Sequence, residues 1–253
     1  MKKAMICLCA LYICLSMAAC SPFFPRRYPV DVDYDVDYSD TIKLYSDQDW
    51  IYEDYEYYYR KFDNIDYNVR VPFINIDSYD AEVANREIIR LVDKKIEEVN
   101  GTDGWYDEVG AYFEFNYTTY ISNNIAAVII KTGIEATDIM LPDYYTYTFN
   151  INTGYILSYS DACEMAGFSS VSLERTIEEI VTETLKKEIH EAYGADSPYL
   201  EYVEETMSNY HQAVKTGEIG FVIDEYRTTL KVIFTWSIPF HAGYKNEIID
   251  IWY

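Results

Sequence analysis

Apolar residues recur every three or four positions in three stretches of the chain, a spacing that predicts amphipathic helices. The first stretch begins after Asp77 or Ser78, either of which can cap a helix, and ends at Asn100-Gly101. The second follows Ser172, and the third follows Pro198. The apolar positions of the three helices are Val83, Ile88, Leu91, Val92, Ile96 and Val99; Leu173, Ile177, Ile180, Val181, Leu185 and Ile189; and Tyr199, Tyr202, Val203, Met207 and Tyr210.

The other apolar stretches are short and separated by turn residues, which indicates strands in hairpin-spaced pairs. Pro72 interrupts the first stretch and favours an edge position for it. Ile125 to Ile134 is almost continuously apolar, which is typical of a strand buried on both faces. Hairpin-spaced strands with separate helical blocks predict an α+β fold, an antiparallel sheet with three main helices packed on it. The predicted strands are 67–76, 109–121, 125–134, 144–151, 155–159, 220–224, 228–238 and 247–252.

Composition indicates a folded protein and reduces the classes of partner that it could bind. The chain has 253 residues, of which 49% are hydrophobic and 28 are tyrosine, enough to build a sizeable core. The net charge is −23 at pH 7. Contacts with nucleic acid or with an anionic membrane face need clustered cations, so both are disfavoured. Neutral or cationic partners remain open.

The first twenty residues have the order of an export signal. Lys2 and Lys3 precede an apolar segment, 4–16, that is too short to span a bilayer. The segment ends in Met17-Ala18-Ala19-Cys20-Ser21, small residues directly before a cysteine. Residues 1–19 are therefore predicted to be a signal peptide.

The sequence around Cys20 resembles the lipobox of bacterial lipoproteins, with Met17 in place of the usual leucine. In that family the cysteine becomes the mature N-terminus and carries the lipid. The resemblance implies lipidation at Cys20, with palmitate as an expected acyl group. It also implies a location in the cell envelope, anchored to a membrane and facing the extracytoplasmic side. The alternative is an ordinary signal peptide that happens to contain a cysteine.

The segment 20–60 carries little that predicts a core. Acidic residues alternate with Val and Tyr over 31–38, but Val36 and Ile42 stand where a calcium loop requires Gly and Glu. The segment is interpreted as a solvated acidic, Tyr-rich tether. The folded domain is then expected over 61–253.

Motifs for common chemistries are absent from the sequence. It contains no paired histidines with zinc-protease spacing, no P-loop, no G-x-G-x-x-G and no G-x-S-x-G. Cys163 is the one cysteine after Cys20, has no local histidine partner, and is predicted to be a buried structural residue. We therefore predict no catalytic residue, cofactor or metal. Two carboxylates suited to glycan hydrolysis remain an alternative, because the sequence does not show which acids face each other.

Two blocks of sequence resemble an extracytoplasmic bacterial domain of unknown function. The first is 67–77 with the helix after it, and the second runs from 147–161 through 220–234 to 239–253. This domain forms the outer part of RsiV-type anti-sigma factors and is attached to a peptidoglycan deacetylase. The resemblance implies an α+β unit in two halves, about 61–140 and 141–253. Where the family carries a Gly-Gly-Ala-His turn, this chain has residues 132–138 without histidine.

In the anti-sigma factors the domain binds lysozyme, and no catalysis is assigned to it. The resemblance and the acidic charge together predict a non-catalytic, lipid-anchored envelope protein that binds a protein or cell-wall ligand. A cationic partner such as lysozyme is electrostatically suited. The alternative function is an envelope glycan hydrolase with paired carboxylates.

Overall fold

The computed structural model describes residues 49–54, 65–101, 110–122, 124–136, 139–140, 142–194, 199–224, 228–238 and 243–252. All of them belong to one unit that spans 35–253. The predicted signal peptide, the lipid site at Cys20 and the acidic repeat over 31–38 lie outside the described residues.

The described residues form an α+β fold, as the hydrophobic pattern predicted. Most of the four helices and ten strands follow one another in blocks, and one helix, Tyr79–Asn100, connects two parallel strands. The strands are β1 Ile51–Glu53, β2 Ile65–Val69, β3 Pro72–Ile74, β4 Ala111–Ile121, β5 Ile125–Ala136, β6 Ile139–Met140, β7 Asp143–Asn150, β8 Phe221–Asp224, β9 Thr229–Ile238 and β10 Gly243–Trp252. The helices are α1 Tyr79–Asn100, α2 Tyr159–Met165, α3 Ser170–Tyr193 and α4 Leu200–Thr216.

The strands form three sheets where the sequence predicted one. The largest has the order β2, β4, β5, with β6 and β7 both paired to the remaining edge of β5. All its pairs are antiparallel except that of β2 with β4. A second sheet has the order β10, β9, β8, and β1 pairs with β3 in a third. Pro72 begins β3 in the two-stranded sheet, and β2 is an edge strand, so the predicted edge position is confirmed.

Strand β5 separates two hydrophobic cores. Its side chains alternate, because successive residues of a strand point to opposite faces. The first core contains α1 and strands β1 to β4 on one face of β5, and the second contains α2 to α4 and the three-stranded sheet on the other. Every residue from Ile125 to Ile130 is at most 4% exposed, which confirms the prediction of a strand buried on both faces.

The helix ends follow the capping residues of the sequence with one shift. Ser78 caps α1 by accepting a hydrogen bond from the Ala81 amide, and Gly101 ends the helix, as predicted. Helix α3 is capped by Ser169 rather than by Ser172. The Ser172 hydroxyl instead accepts a hydrogen bond from the Ser169 amide, which completes a capping box one turn earlier than expected.

The predicted strand over 155–159 is wrong. Phe149 and Ile156 form a single bridge, and Tyr159 already begins α2. Ser158 and Asp161 form a capping box at this point, with Asp161 accepting from the Ser158 amide at 2.7 Å. Local side-chain bonds therefore start a helix where the apolar alternation favoured a strand.

The folded unit begins earlier in the sequence than residue 61. Ile51, inside the segment predicted to be a tether, is buried and pairs through β1 with Ile74 of β3. Tyr52 and Phe73 also contact each other in this pair, with ring centroids 5.2 Å apart. The acidic, Tyr-rich composition gave no signal for this short strand, which packs in the first core. Among the described helices, none has the length and apolarity needed to cross a membrane.

Candidate functional site

Cys163, the thiol of the folded region, is positioned as a structural residue. It is buried on α2 at 8% exposure and belongs to the second core. Burial raises the pKa of its thiol to about 11, against a smaller lowering by a hydrogen bond with Tyr159. The thiol is therefore protonated at neutral pH, and the prediction that Cys163 is buried is confirmed.

Tyr210 extends this polar pair, Cys163 and Tyr159, inside the second core. The hydroxyls of Tyr159 and Tyr210 are 3.3 Å apart. Burial is the main cause that raises the pKa of both phenols. The pair bridges α2 and α4 and keeps two buried hydroxyls hydrogen-bonded, which is a stabilising role rather than a chemical one.

The aromatic residues of β4 divide between the two faces of the sheet. Phe113 and Phe115 are fully buried in the first core. Tyr112 and Tyr120 point to the opposite face and are partly exposed. In this part of the strand, a buried face therefore alternates with a partly exposed one. Tyr117 shares the core face but is also partly exposed, beside the Arg70 guanidinium at 5.0 Å.

Helices α3 and α4 enclose a groove on the surface of the second core. Its volume is about 430 Å³. Val203 and Met207 form an apolar floor, each 7% exposed, while Glu178 and Glu204 line the groove with exposed side chains. The remaining lining residues are Ser208, His211, Gln212 and Lys215.

The groove follows from the helical patterns of α3 and α4. Both helices turn an apolar stripe inward, so their polar residues line the outer surface where the two helices meet. Together they carry nine acidic and four basic residues, which leaves a surplus of negative charge. His211 lies at the edge, with its Nε2 atom 2.8 Å from Oε1 of Glu174. This contact ties the two helices together across the groove.

The arrangement suits a long cationic side chain. Lysine and arginine have apolar stems that can lie on Val203 and Met207, and charged heads that can reach Glu178 or Glu204. The helical period predicted that Val203 and Met207 face inward and that Glu178 and Glu204 are exposed. It does not show which exposed faces of two separate helices come together.

The fold and the groove define an α+β protein with an acidic, amphipathic surface site. Among the described residues, no group of three His, Cys, Asp or Glu side chains is placed to hold a metal ion. A comparison with models of known protein families found no match, and a comparison with curated proteins found none either.

Proposed function

We propose that this protein is a non-catalytic, lipid-anchored component of the cell envelope that binds a cationic protein through the α3–α4 groove. The observation that carries the proposal is the groove itself, where Glu178 and Glu204 flank an apolar floor. The resemblance to the lysozyme-binding domain of RsiV-type anti-sigma factors supports the same partner class.

Electrostatic attraction supports this function both at a distance and at contact. The net charge of −23 attracts a cationic partner from a distance and speeds association at low ionic strength. At contact, a lysine or arginine stem can lie on the apolar floor that Val203 and Met207 form in the groove. A partner held in this way should bind less tightly as salt screens the long-range attraction.

The test measures binding of the full chain, purified in detergent, to an immobilised lysozyme. We expect binding at about 20 mM salt that weakens strongly by about 500 mM, where the screening length falls below 5 Å. The double variant Glu178→Gln, Glu204→Gln should lower the association rate about threefold or more. Absence of binding to lysozyme and to other basic proteins at low salt would overturn the proposal.

A matched control separates the groove from the overall charge. Asp93→Asn with Glu97→Gln removes two exposed acids from α1, the same change in net charge at a different surface. If the groove is the site, this control should lower the association rate much less than the groove variant. Equal effects would mean that binding is steered by net charge alone.

The anchor has a separate test. Cys20→Ala removes the thiol that the lipobox resemblance assigns to the lipid. We expect the variant to move from the membrane fraction to the soluble fraction and to lose incorporation of labelled palmitate. Unchanged membrane association would favour the ordinary signal peptide or another mode of attachment.

Glycan hydrolysis is the competing function, because Glu178 and Glu204 are two carboxylates that line one groove. Both are exposed on helices, whereas an acid catalyst works best when shielded from water. We expect no release of reducing ends from purified peptidoglycan. Release that the double Gln variant abolishes would make the protein a hydrolase.

A further inference from the structure

The α3–α4 groove has charges of opposite sign at its two ends. Glu204 lines it in the N-terminal part of α4, and Lys215 lines it at the C-terminal end. Lys215 follows Glu204 by eleven residues, which is about three helical turns, so both lie on the same face of α4. The two positions are about 16 Å apart along the helix axis, with Ser208 and His211 between them.

Helix α3 adds a second carboxylate to the acidic end. Oε1 of Glu174, near the start of α3, is 2.8 Å from Nε2 of His211, in the second half of α4. Because the chain connects the end of α3 to the start of α4, this contact means that the two helices run in opposite directions. Glu178 lies one turn further along α3, toward the Glu204 end. Two carboxylates therefore line one end of the groove and one ammonium lines the other.

These three charged groups are not used within the fold. Among the described residues, none forms a hydrogen bond or ion pair with the side chains of Glu178, Glu204 or Lys215. All three are exposed. By contrast, Arg175 and Glu179 of α3 pair with each other. The charges that line the groove can therefore pair with a ligand that supplies the opposite charge at each end.

The space between these charges is open, and its size limits what it can hold. Its volume is about 430 Å³, above the apolar floor of Val203 and Met207. A helix about 16 Å long and about 10 Å across would occupy about 1,200 Å³. An extended chain covers the same length in about five residues, because each residue of a strand rises about 3.3 Å. The groove therefore fits a short extended segment better than a helix.

We propose that the groove binds an extended segment of the partner in which a basic and an acidic residue are about five positions apart. The basic side chain lies over Val203 and Met207 and reaches Glu178 or Glu204. The acidic side chain pairs with Lys215. This inference rests on the proposed function and specifies which part of a cationic protein the groove takes.

The order of charges along the groove disfavours other segments. A segment with bases at both ends would place one of them beside the Lys215 ammonium. A segment with acids at both ends would place one beside Glu178 and Glu204. Like charges in contact lower affinity, so both segments should bind less well. A segment with adjacent acid and base cannot reach both ends, so spacing contributes to specificity together with charge.

The experiment titrates the full chain in detergent with three end-blocked hexapeptides and follows the backbone amide NMR signals of α3 and α4. The spaced peptide is Arg-Leu-Ser-Thr-Ser-Glu. The adjacent peptide, Leu-Ser-Arg-Glu-Thr-Ser, has the same composition, and the dibasic peptide is Arg-Leu-Ser-Thr-Ser-Arg. All are too short to form stable helices. At about 100 mM salt, we expect the spaced peptide to bind with a dissociation constant of about 1 mM or below, and the adjacent peptide about threefold more weakly.

Lys215→Glu is the decisive variant, because it reverses the charge at one end of the groove. It should shift the ratio of affinities for the dibasic and spaced peptides at least fivefold toward the dibasic peptide. Lys187→Glu makes the same change in net charge at an exposed position of α3 that does not line the groove, and it should leave the ratio unchanged. Lys215→Gln should shift the ratio in the same direction by less, and it serves if the Glu variant does not fold.

Three results would overturn the inference: no binding of any peptide, equal binding of the spaced and adjacent peptides, or equal effects of Lys215→Glu and Lys187→Glu. In each case the proposed function stands if the chain binds lysozyme and the double variant Glu178→Gln, Glu204→Gln weakens that binding. Absence of lysozyme binding together with the expected peptide preference would have the opposite meaning. It would overturn the proposed partner and leave the segment preference of the groove in place.

Discussion

The two helical layers of this molecule close opposite faces of the same strand but differ in how their charges are balanced. Helix α1 covers the first core with six acidic and four basic residues. Glu82 pairs with Arg86 and Lys94 with Glu98 along that helix. Helices α3 and α4 contribute to the second core with nine acidic and four basic residues. Arg175 pairs with Glu179 on α3 as well, so the two layers differ in their acidic surplus rather than in having ion pairs.

Side chains of the two layers are equally buried. Truncating one such side chain in either layer should therefore cause a similar loss of stability. Ile88 of α1 and Ile177 of α3 are both 0% exposed. Ile88→Ala and Ile177→Ala should each lower the free energy of unfolding by about 2–5 kcal/mol, because each leaves a cavity in a packed core. Urea titrations followed by circular dichroism and by tyrosine fluorescence would measure the loss.

The same experiment tests whether the two cores unfold together. Strand β5 contributes to both, with Ala126 in the first and Ala127 in the second. We therefore expect one transition, with the same midpoint from both probes. Two separate transitions would show that the two cores unfold independently. They would also favour the division into halves near residue 140 that the family resemblance implies.

The sequence predicted the elements of both layers well, because burial leaves a periodic signal. Ile88, Val92 and Ile96 gave the inward face of α1, and Leu173, Ile177 and Val181 gave that of α3. It did not predict that the strands would separate into three sheets. Pairing depends on which distant strands meet, as when β8 docks on β7 through the Thr148 hydroxyl, which donates to the Phe221 carbonyl at 3.0 Å.

The candidate groove could not be predicted for a similar reason. Glu178 and Glu204 belong to different helices, and their shared groove exists only after α3 and α4 pack together.

Alkaline pH should weaken both cores, because each holds a buried phenol. Burial is the main cause that raises the pKa of Tyr147 in the first core and of Tyr159 in the second. The unfolded state then releases protons first as pH rises above about 10, so it binds fewer protons than the folded state and stability falls. Each phenol that stays neutral in the fold should lower the free energy of unfolding by about 1.4 kcal/mol between pH 8 and pH 11.

Phenylalanine substitutions assign this loss to the two cores. Tyr147→Phe and Tyr159→Phe should each remove about 1.4 kcal/mol from the difference between urea titrations at pH 8 and pH 11. Tyr155→Phe, at an exposed turn, should leave that difference unchanged. The Cys163 thiol, whose pKa burial raises to about 11, adds a loss of the same sign that begins near pH 9. A flat profile in the unmodified chain would contradict burial of these groups.

The smallest predicted effect distinguishes the two layers most clearly. Removing one acid should change the free energy of unfolding in opposite directions in the two layers. Glu82 lies in the first turn of α1 and pairs with Arg86, so Glu82→Gln should lower the free energy of unfolding by about 0.2–0.5 kcal/mol. Glu178 of α3 follows Glu174 by four residues and shares a groove with Glu204, so Glu178→Gln relieves repulsion. It should raise the free energy of unfolding by about the same amount at low salt. Both changes should shrink when salt screens surface charges, and equal signs would show that the charge balance of the two layers does not differ in the way their sequences indicate.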